Sequence, residues 1–203
     1  MKIEYITIDP NWRIDDMRDH LRLLPIERQE KIARYRFEKD KLLSLAAGLL
    51  IRRAIGENTI LLGEHGKPYA ESGICFSVSH SGDLAAIAVD DACIGVDVEV
   101  LPDENRLKIA DRFYHPAERA YVTQAEDKCR AFCEIWTRKE AYLKMTGEGI
   151  STDLTAFDTT SPPLSEQLFT IQLNGYCLSV CSERNLKDIQ CDISELELNH
   201  LLI

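Results

Sequence analysis

Three strand-length apolar runs follow one another between Ile74 and Val100 with almost nothing between them: ICFSVSH, LAAIAVD and CIGVDVEV. Ser81, Gly82 and Asp83 make the first turn, and Asp90 with Asp91 the second. Connections this short suit antiparallel neighbours, because a parallel crossover needs a dozen residues or more. The spacing therefore predicts an antiparallel meander. Its last strand carries a difficulty. Side chains alternate across a strand, so Ile94, Val96 and Val98 share one face while Asp97 and Glu99 project together from the other. At a separation of roughly 6 Å and an effective dielectric of about 20, such carboxylates repel by ~3 kcal/mol. Either water on a solvated face or a bound cation must relieve that repulsion.

The remaining pattern alternates helices with strands. KIEYITI near the N-terminus alternates like a strand, and DDMRDHLRLLP reads as a short helix ending before Pro25. KDKLLSLAAGLLIRRAIG places Leu42, Leu45, Leu49 and Ile55 at helical spacing, with Asp40 near its start and Gly56 at its stop. The second half predicts helices over Arg106 to Phe113, Pro116 to Gln124 and Lys128 to Met145, the last halted by TGEG. LFTIQL and YCLSVCS, joined at Asn174 and Gly175, read as a hairpin, with DIQCDI as a further strand. DTTSPPLSEQ is a loop within that half. Each half offers a long helix followed by strands. The expected class is α+β in two similar lobes, residues 1–100 and 101–203.

A chain of 203 residues, 45% hydrophobic, is ample for such a core. Its 34 acidic against 24 basic residues leave a net charge of -10, which disfavours nucleic acid as a partner, since phosphate binding needs a basic face. The N-terminus lacks the apolar core of a signal peptide, and no run of about 18 apolar residues exists to cross a bilayer. A cytoplasmic protein with no membrane partner is expected. The seven cysteines include no CxxC pair, the closest spacings being Cys129 to Cys133 and Cys177 to Cys181. They read as buried thiols rather than zinc ligands.

The helix ending at Met145 holds a second oddity. Phe132, Trp136, Glu140 and Lys144 recur at intervals of four, so aromatic side chains, an acid and a base form one stripe. On its own that stripe is satisfied by an ion pair between Glu140 and Lys144, worth about 0.2 to 0.5 kcal/mol.

Taken together, GKP at 66–68, FSVSHSGD at 76–83, IGVDVE at 94–99 and WTRKEAYLK at 136–144 are more specific. Their order and spacing, over about Pro25 to Ile150, resemble the 4'-phosphopantetheinyl transferases, in the long single-chain form that activates surfactin synthetase. The resemblance implies two lobes related by an approximate twofold in a monomer, with coenzyme A in the cleft between them. It implies a magnesium ion held by Asp97, Glu99 and Glu140, a role that suits a hard dication with few carboxylate ligands and substrate phosphates. The implied reaction moves the 4'-phosphopantetheine arm of coenzyme A to a serine hydroxyl of an apo acyl or peptidyl carrier protein, releasing adenosine 3',5'-bisphosphate. Glu140 is then the base, directly or through a metal-bound water, and Lys144 the group that protonates or neutralises the leaving phosphate.

By the same resemblance Ser79 and His80 contact the coenzyme A phosphates, Lys67 and Pro68 line the nucleotide, and Lys39 and Ser44 contact it near the start of the first long helix. The chain departs from the family where basic side chains follow the proline at Pro25. Glu27 and Glu30 stand there, with Arg28, Lys31 and Arg34 out of phase, so weaker rejection of dephospho-coenzyme A is expected. Arg106, Lys108, Arg112 and Arg119, among Leu107, Phe113 and Tyr114, form a patch for the acidic carrier protein or simply two helices packed on the core. A non-catalytic module binding a magnesium nucleotide or a carrier domain is the alternative function. A two-metal phosphohydrolase would need a denser cluster of Asp and His.

Overall fold

The computed structural model describes residues 1–63, 66–149, 152–187 and 189–201. Two sheets meet inside the molecule, each backed on its outer side by one long helix. The first sheet comprises β1 (Lys2–Thr7), β4 (Cys75–Ser81), β5 (Leu84–Asp90) and β9 (Asp192–Glu195), in the order β4-β5-β1-β9. The second comprises β6 (Ile94–Val100), β7 (Leu168–Leu173) and β8 (Tyr176–Ser182), in the order β6-β8-β7. A small ribbon of β2 (Ile60–Leu62) and β3 (Pro68–Ala70) stands apart from both.

Short helices α1 (Arg18–Arg22) and α2 (Ile26–Arg34) precede α3 (Glu38–Ile55), the helix behind the first sheet. Every residue of α3 from Leu42 to Ile51 is buried, which its apolar run demands, and Gly56 ends it at a φ of 65° with its N–H on the Arg52 carbonyl. In the second half α4 (Ala110–Phe113) and α5 (Pro116–Gln124) lead to α6 (Lys128–Thr146), the helix behind the second sheet. Asp127 caps α6 by accepting from the Arg130 N–H, and Gly147 stops it in the left-handed region.

The expected meander breaks after β5. β4 and β5 do form an antiparallel hairpin, with Phe76 opposite Val89 and His80 opposite Ala85. β6 instead leaves that sheet and pairs antiparallel with β8, Val96 opposite Val180 and Val98 opposite Leu178. Burial explains the departure. Ile94, Val96 and Val98 are wholly buried against Leu178, Val180 and the small Ala86 and Ala88 of β5, so the two sheets face one another across an apolar layer. Alanines on one wall leave room for branched side chains on the other.

Where the sheets meet, β4 and β6 run side by side, and serine hydroxyls replace a backbone ladder. The Val96 N–H donates to Ser77 Oγ at 3.0 Å, and the Val100 N–H to Ser81 Oγ at 3.3 Å.

These pairings interleave the two halves of the chain on either side of residue 100. β6 belongs to the second sheet, and β9 returns from the C-terminal end to lie parallel to β1 in the first. Of the expected strand DIQCDI, Asp188 lies outside the described residues, and Asp192 and Ile193 begin β9. The helix expected over residues 106–113 is a 3-10 turn at Glu104–Ile109 followed by the single turn of α4. No helix among the described residues is long and apolar enough to cross a membrane.

Candidate active site

Gly95 sets the distance between β6 and α6. A Cβ there would run into the Ala141 carbonyl and the Met145 N–H, so only glycine lets the helix lie this close to the strand. Asp97 and Glu99, two and four residues further along, share that face and point under α6. Asp97 is 4% exposed, so the solvated reading of the acid pair does not hold.

The helix supplies the charge that the strand lacks. Lys144 Nζ lies 2.7 Å from Asp97 Oδ1 and donates also to Ser79 Oγ at 2.9 Å. Ser79 in turn donates to Asp97 Oδ1 at 2.8 Å, and Ser81 donates to Glu99 Oε2 at 2.6 Å. Lys144 therefore pairs across the interface with the strand acid rather than along the helix with Glu140. The other half of the stripe packs: Phe132 and Trp136 stack at 6.3 Å, and Phe113 meets Trp136 edge-on.

Three carboxyls are held above their ordinary range. Burial raises Asp97 despite Lys144, Ser79 and the Val98 N–H. Burial raises Glu99, with Asp97 adding to it, and burial raises Glu140, with Asp97 and Glu99 both adding. The acids of β6 and α6 thus feel one another, and each ionises at the others' expense.

Their chemistry fits a small hard cation. Asp97 Oδ2 is buried with no hydrogen-bond partner, an acceptor left unsatisfied in a low-dielectric site. Among the described residues, however, no group of three acid, histidine or cysteine side chains is gathered closely enough to hold an ion, and the Lys144 ammonium occupies Oδ1. The three expected ligands are electrostatic neighbours, not a closed coordination shell.

The family model of the 4'-phosphopantetheinyl transferase superfamily matches residues 93–194, and that of the 4'-phosphopantetheinyl transferase N-terminal region matches residues 11–92. The chain belongs to the 4'-phosphopantetheinyl transferase superfamily. Both models fall on one chain, as the long form requires. The 4'-phosphopantetheinyl transferase gsp of Aneurinibacillus migulanus is 32% identical over 141 residues, 64% of this chain and 59% of its own length. The 4'-phosphopantetheinyl transferase AcpT of Salmonella typhimurium is 34% identical over 68% of this chain and 74% of its own. The 4'-phosphopantetheinyl transferase ffp of Bacillus subtilis is 27% identical over the whole of both chains.

In this member of the superfamily, a cavity of about 350 Å³ opens beside the acids, lined by Gly66, Lys67, Pro68, Ser77, Glu140 and Lys144 among others. Lys67 and Pro68 therefore reach the site, with Lys67 Nζ anchored on the Met145 carbonyl at 2.6 Å and burial lowering its pKa. Ser79 is 8% exposed and its hydroxyl is committed to Asp97 and Lys144. His80 keeps part of its surface open to solvent, and the partial covering of its ring, then Lys144 and Arg28, hold it below its ordinary pKa. Lys39 is drawn to Asp83, 2.7 Å away, on the turn between β4 and β5.

Ser44 sits with a residue the sequence set out of phase. Arg28 Nη2 donates to the Ser44 carbonyl at 2.9 Å, while Arg28 Nε and Ser44 Oγ are buried without partners. The signal was weak because α2, which presents Arg28, is only nine residues long and begins on an exposed isoleucine. The alternate serines 77, 79 and 81 were a stronger, overlooked signal, since period two puts them on one strand face.

Lys139 was also missed. It pairs with Glu118 at 2.7 Å with both side chains wholly buried, donates to the Leu154 and Phe157 carbonyls, and sits 4.1 Å over the Phe157 ring. Of the expected carrier patch, Arg112 is exposed over Phe113, but Tyr114 is 1% exposed and donates to the Phe132 carbonyl, so it belongs to the core.

Proposed function

We propose that this chain transfers the 4'-phosphopantetheine arm of coenzyme A to a serine hydroxyl of an apo acyl or peptidyl carrier protein. The observation that carries this is the meeting of Asp97 and Glu99 from β6 with Glu140 and Lys144 from α6 beside a cavity edged by Lys67 and Pro68. Membership of the superfamily and the printed names of its relatives support the same reading.

Asp97, Glu99 and Glu140 would hold a magnesium ion, which when bound supplies positive charge to the diphosphate oxygens. The carrier serine oxygen bonds to the β-phosphorus of coenzyme A, the anhydride P–O bond breaks, and adenosine 3',5'-bisphosphate leaves. Glu140 takes the serine proton. Its raised pKa, from burial and the two strand acids, makes it a stronger base than a free glutamate. Lys144 faces the leaving oxygen as a cation able to give up a proton. His80, Arg28 and Ser44 offer donors for the nucleotide phosphates, among them the unpartnered Arg28 Nε and Ser44 Oγ.

Seven free thiols and the absence of a membrane-crossing helix among the described residues support a cytoplasmic setting, and the presence of both family regions on one chain supports a monomer.

Incubation with coenzyme A, magnesium and apo carrier proteins is expected to add the mass of the arm to the carrier serine. Asp97→Asn, Glu99→Gln and Glu140→Gln together should abolish the gain. Binding without mass gain would leave a non-catalytic module, and release of free phosphate a hydrolase.

A further inference from the structure

Two of the seven cysteines are neighbours at a cavity wall. Cys75 opens β4 and is half-buried, while the exposed Cys93 immediately precedes β6. The contact between Val96 N–H and Ser77 Oγ holds these strands side by side, which brings the residues just ahead of it into reach. Burial raises the Cys75 thiol above its ordinary pKa, and the neighbouring Cys93 adds to that shift. Both line one cavity of about 460 Å³, together with Lys67, Pro68, Tyr69 and Met145. Lys67 Nζ donates to the Met145 carbonyl at 2.6 Å on that same wall.

This combination sets the pair apart from the other thiols. Cys133 and Cys177 are 2% and 0% exposed, beyond the reach of a solute. Cys181 is wholly buried, which pushes its thiol up to about 12. Cys129 and Cys191 are half-buried elsewhere. A thiol open to solvent exchanges with a disulfide far more readily than a buried one, and Cys93 is the exposed thiol.

We propose that Cys75 and Cys93 form a modification site for low-molecular-weight disulfides, at which they close to an intramolecular disulfide. The Cys93 thiolate attacks one sulfur of the small disulfide. Its S–S bond breaks, one small thiolate leaves and takes up the proton given by Cys93, and a mixed disulfide remains on Cys93. The Cys75 thiol then loses its proton and attacks the Cys93 sulfur, expelling the second small thiol. Two cysteine thiols are oxidised, and one small disulfide is reduced to two thiols. The new bond ties the start of β4 to the entry of β6. This site stands independently of the transferase reading.

The test treats the reduced full-length protein with glutathione disulfide, quenches with acid and maps the masses of proteolytic peptides. The expected product has lost two hydrogens, retains no glutathione, and yields a peptide joining Cys75 to Cys93 that dithiothreitol releases. Cys75→Ser should instead hold one glutathione on Cys93, and Cys93→Ser should leave Cys75 reduced. Glutathione spread evenly over Cys93, Cys129 and Cys191 would overturn the proposal. So would a joined peptide absent from the folded wild-type protein, or glutathione retained on wild type as on Cys75→Ser.

Discussion

Lys144 Nζ lies 2.7 Å from Asp97 Oδ1, joining the second-sheet helix to the strand beneath it by an ion pair and a shared serine, Ser79. That ammonium opposes the burial that raises Asp97, and it faces the cavity where a leaving phosphate would sit. Lys144→Met is expected to lower kcat by about 10²- to 10³-fold, the usual effect of removing one group that stabilises developing charge. Steady-state kinetics with coenzyme A and a carrier protein decide it. A raised KM with kcat intact would make Lys144 a binding residue only.

Lys139, next to the proposed base, is expected to matter for stability. Its partner Glu118 is fully bonded, accepting from the His115 and Thr159 N–H groups and the Thr159 hydroxyl as well as from Lys139. Lys139→Met leaves that carboxylate buried and uncompensated, which costs about 3–5 kcal/mol. Urea denaturation should show the midpoint falling accordingly, and Glu118→Leu combined with Lys139→Met should recover part of the loss. Equal stability of wild type and Lys139→Met would contradict the buried pair.

Gly95→Ala tests how tightly α6 is seated. The added methyl meets the Ala141 carbonyl and the Met145 N–H, both backbone, so the helix must move. Such overpacking costs about 1–3 kcal/mol or more. Because Glu140 and Lys144 ride on the displaced helix, activity should fall further than stability does. Thermal melts and turnover measured on the same preparation separate the two, and unchanged turnover would show that α6 has slack.

His80 predicts a pH dependence of stability. Burial, Lys144 and Arg28 hold its imidazole below the ordinary value near 6.5, so below that pH the unfolded chain binds more protons than the folded one. Its contribution is complete above the unfolded pKa and declines as pH falls through the window beneath it. Wild type should therefore lose more Tm between about pH 8 and about pH 5 than His80→Gln does. Parallel losses in the two proteins would remove His80 from the account.

Arg28 Nε, from α2, and Ser44 Oγ, on α3, are buried donors without partners. If they hold the 3'-phosphate of coenzyme A, Arg28→Ala with Ser44→Ala should shrink the preference for coenzyme A over dephospho-coenzyme A by about tenfold or more, the worth of a lost charge-assisted hydrogen bond. The ratio of kcat/KM for the two substrates measures it. An unchanged ratio would place the 3'-phosphate elsewhere.

Local pattern alone determined the two long helices and most of the strands. Leu42, Leu45 and Leu49 at helical spacing, with glycine at each helix stop, leave few alternatives, and Asn174 with Gly175 at a φ of 76° makes the β7–β8 hairpin. Motif order also singled out Asp97, Glu99, Glu140 and Lys144, which the fold brings to one strand–helix interface. What no local pattern could decide was partner choice. β6 follows β5 after a short turn, yet it joins β8, because only there are both its faces covered, one by Ala86 and Ala88 and the other by α6 over Gly95. Lys144 likewise had a partner one helical turn away in sequence and took Asp97 instead, since an acid buried at 4% exposure has more to gain from a cation than a half-buried one. Periodicity reports which face of an element is apolar. Which other face covers it depends on burial summed over residues distant in the chain.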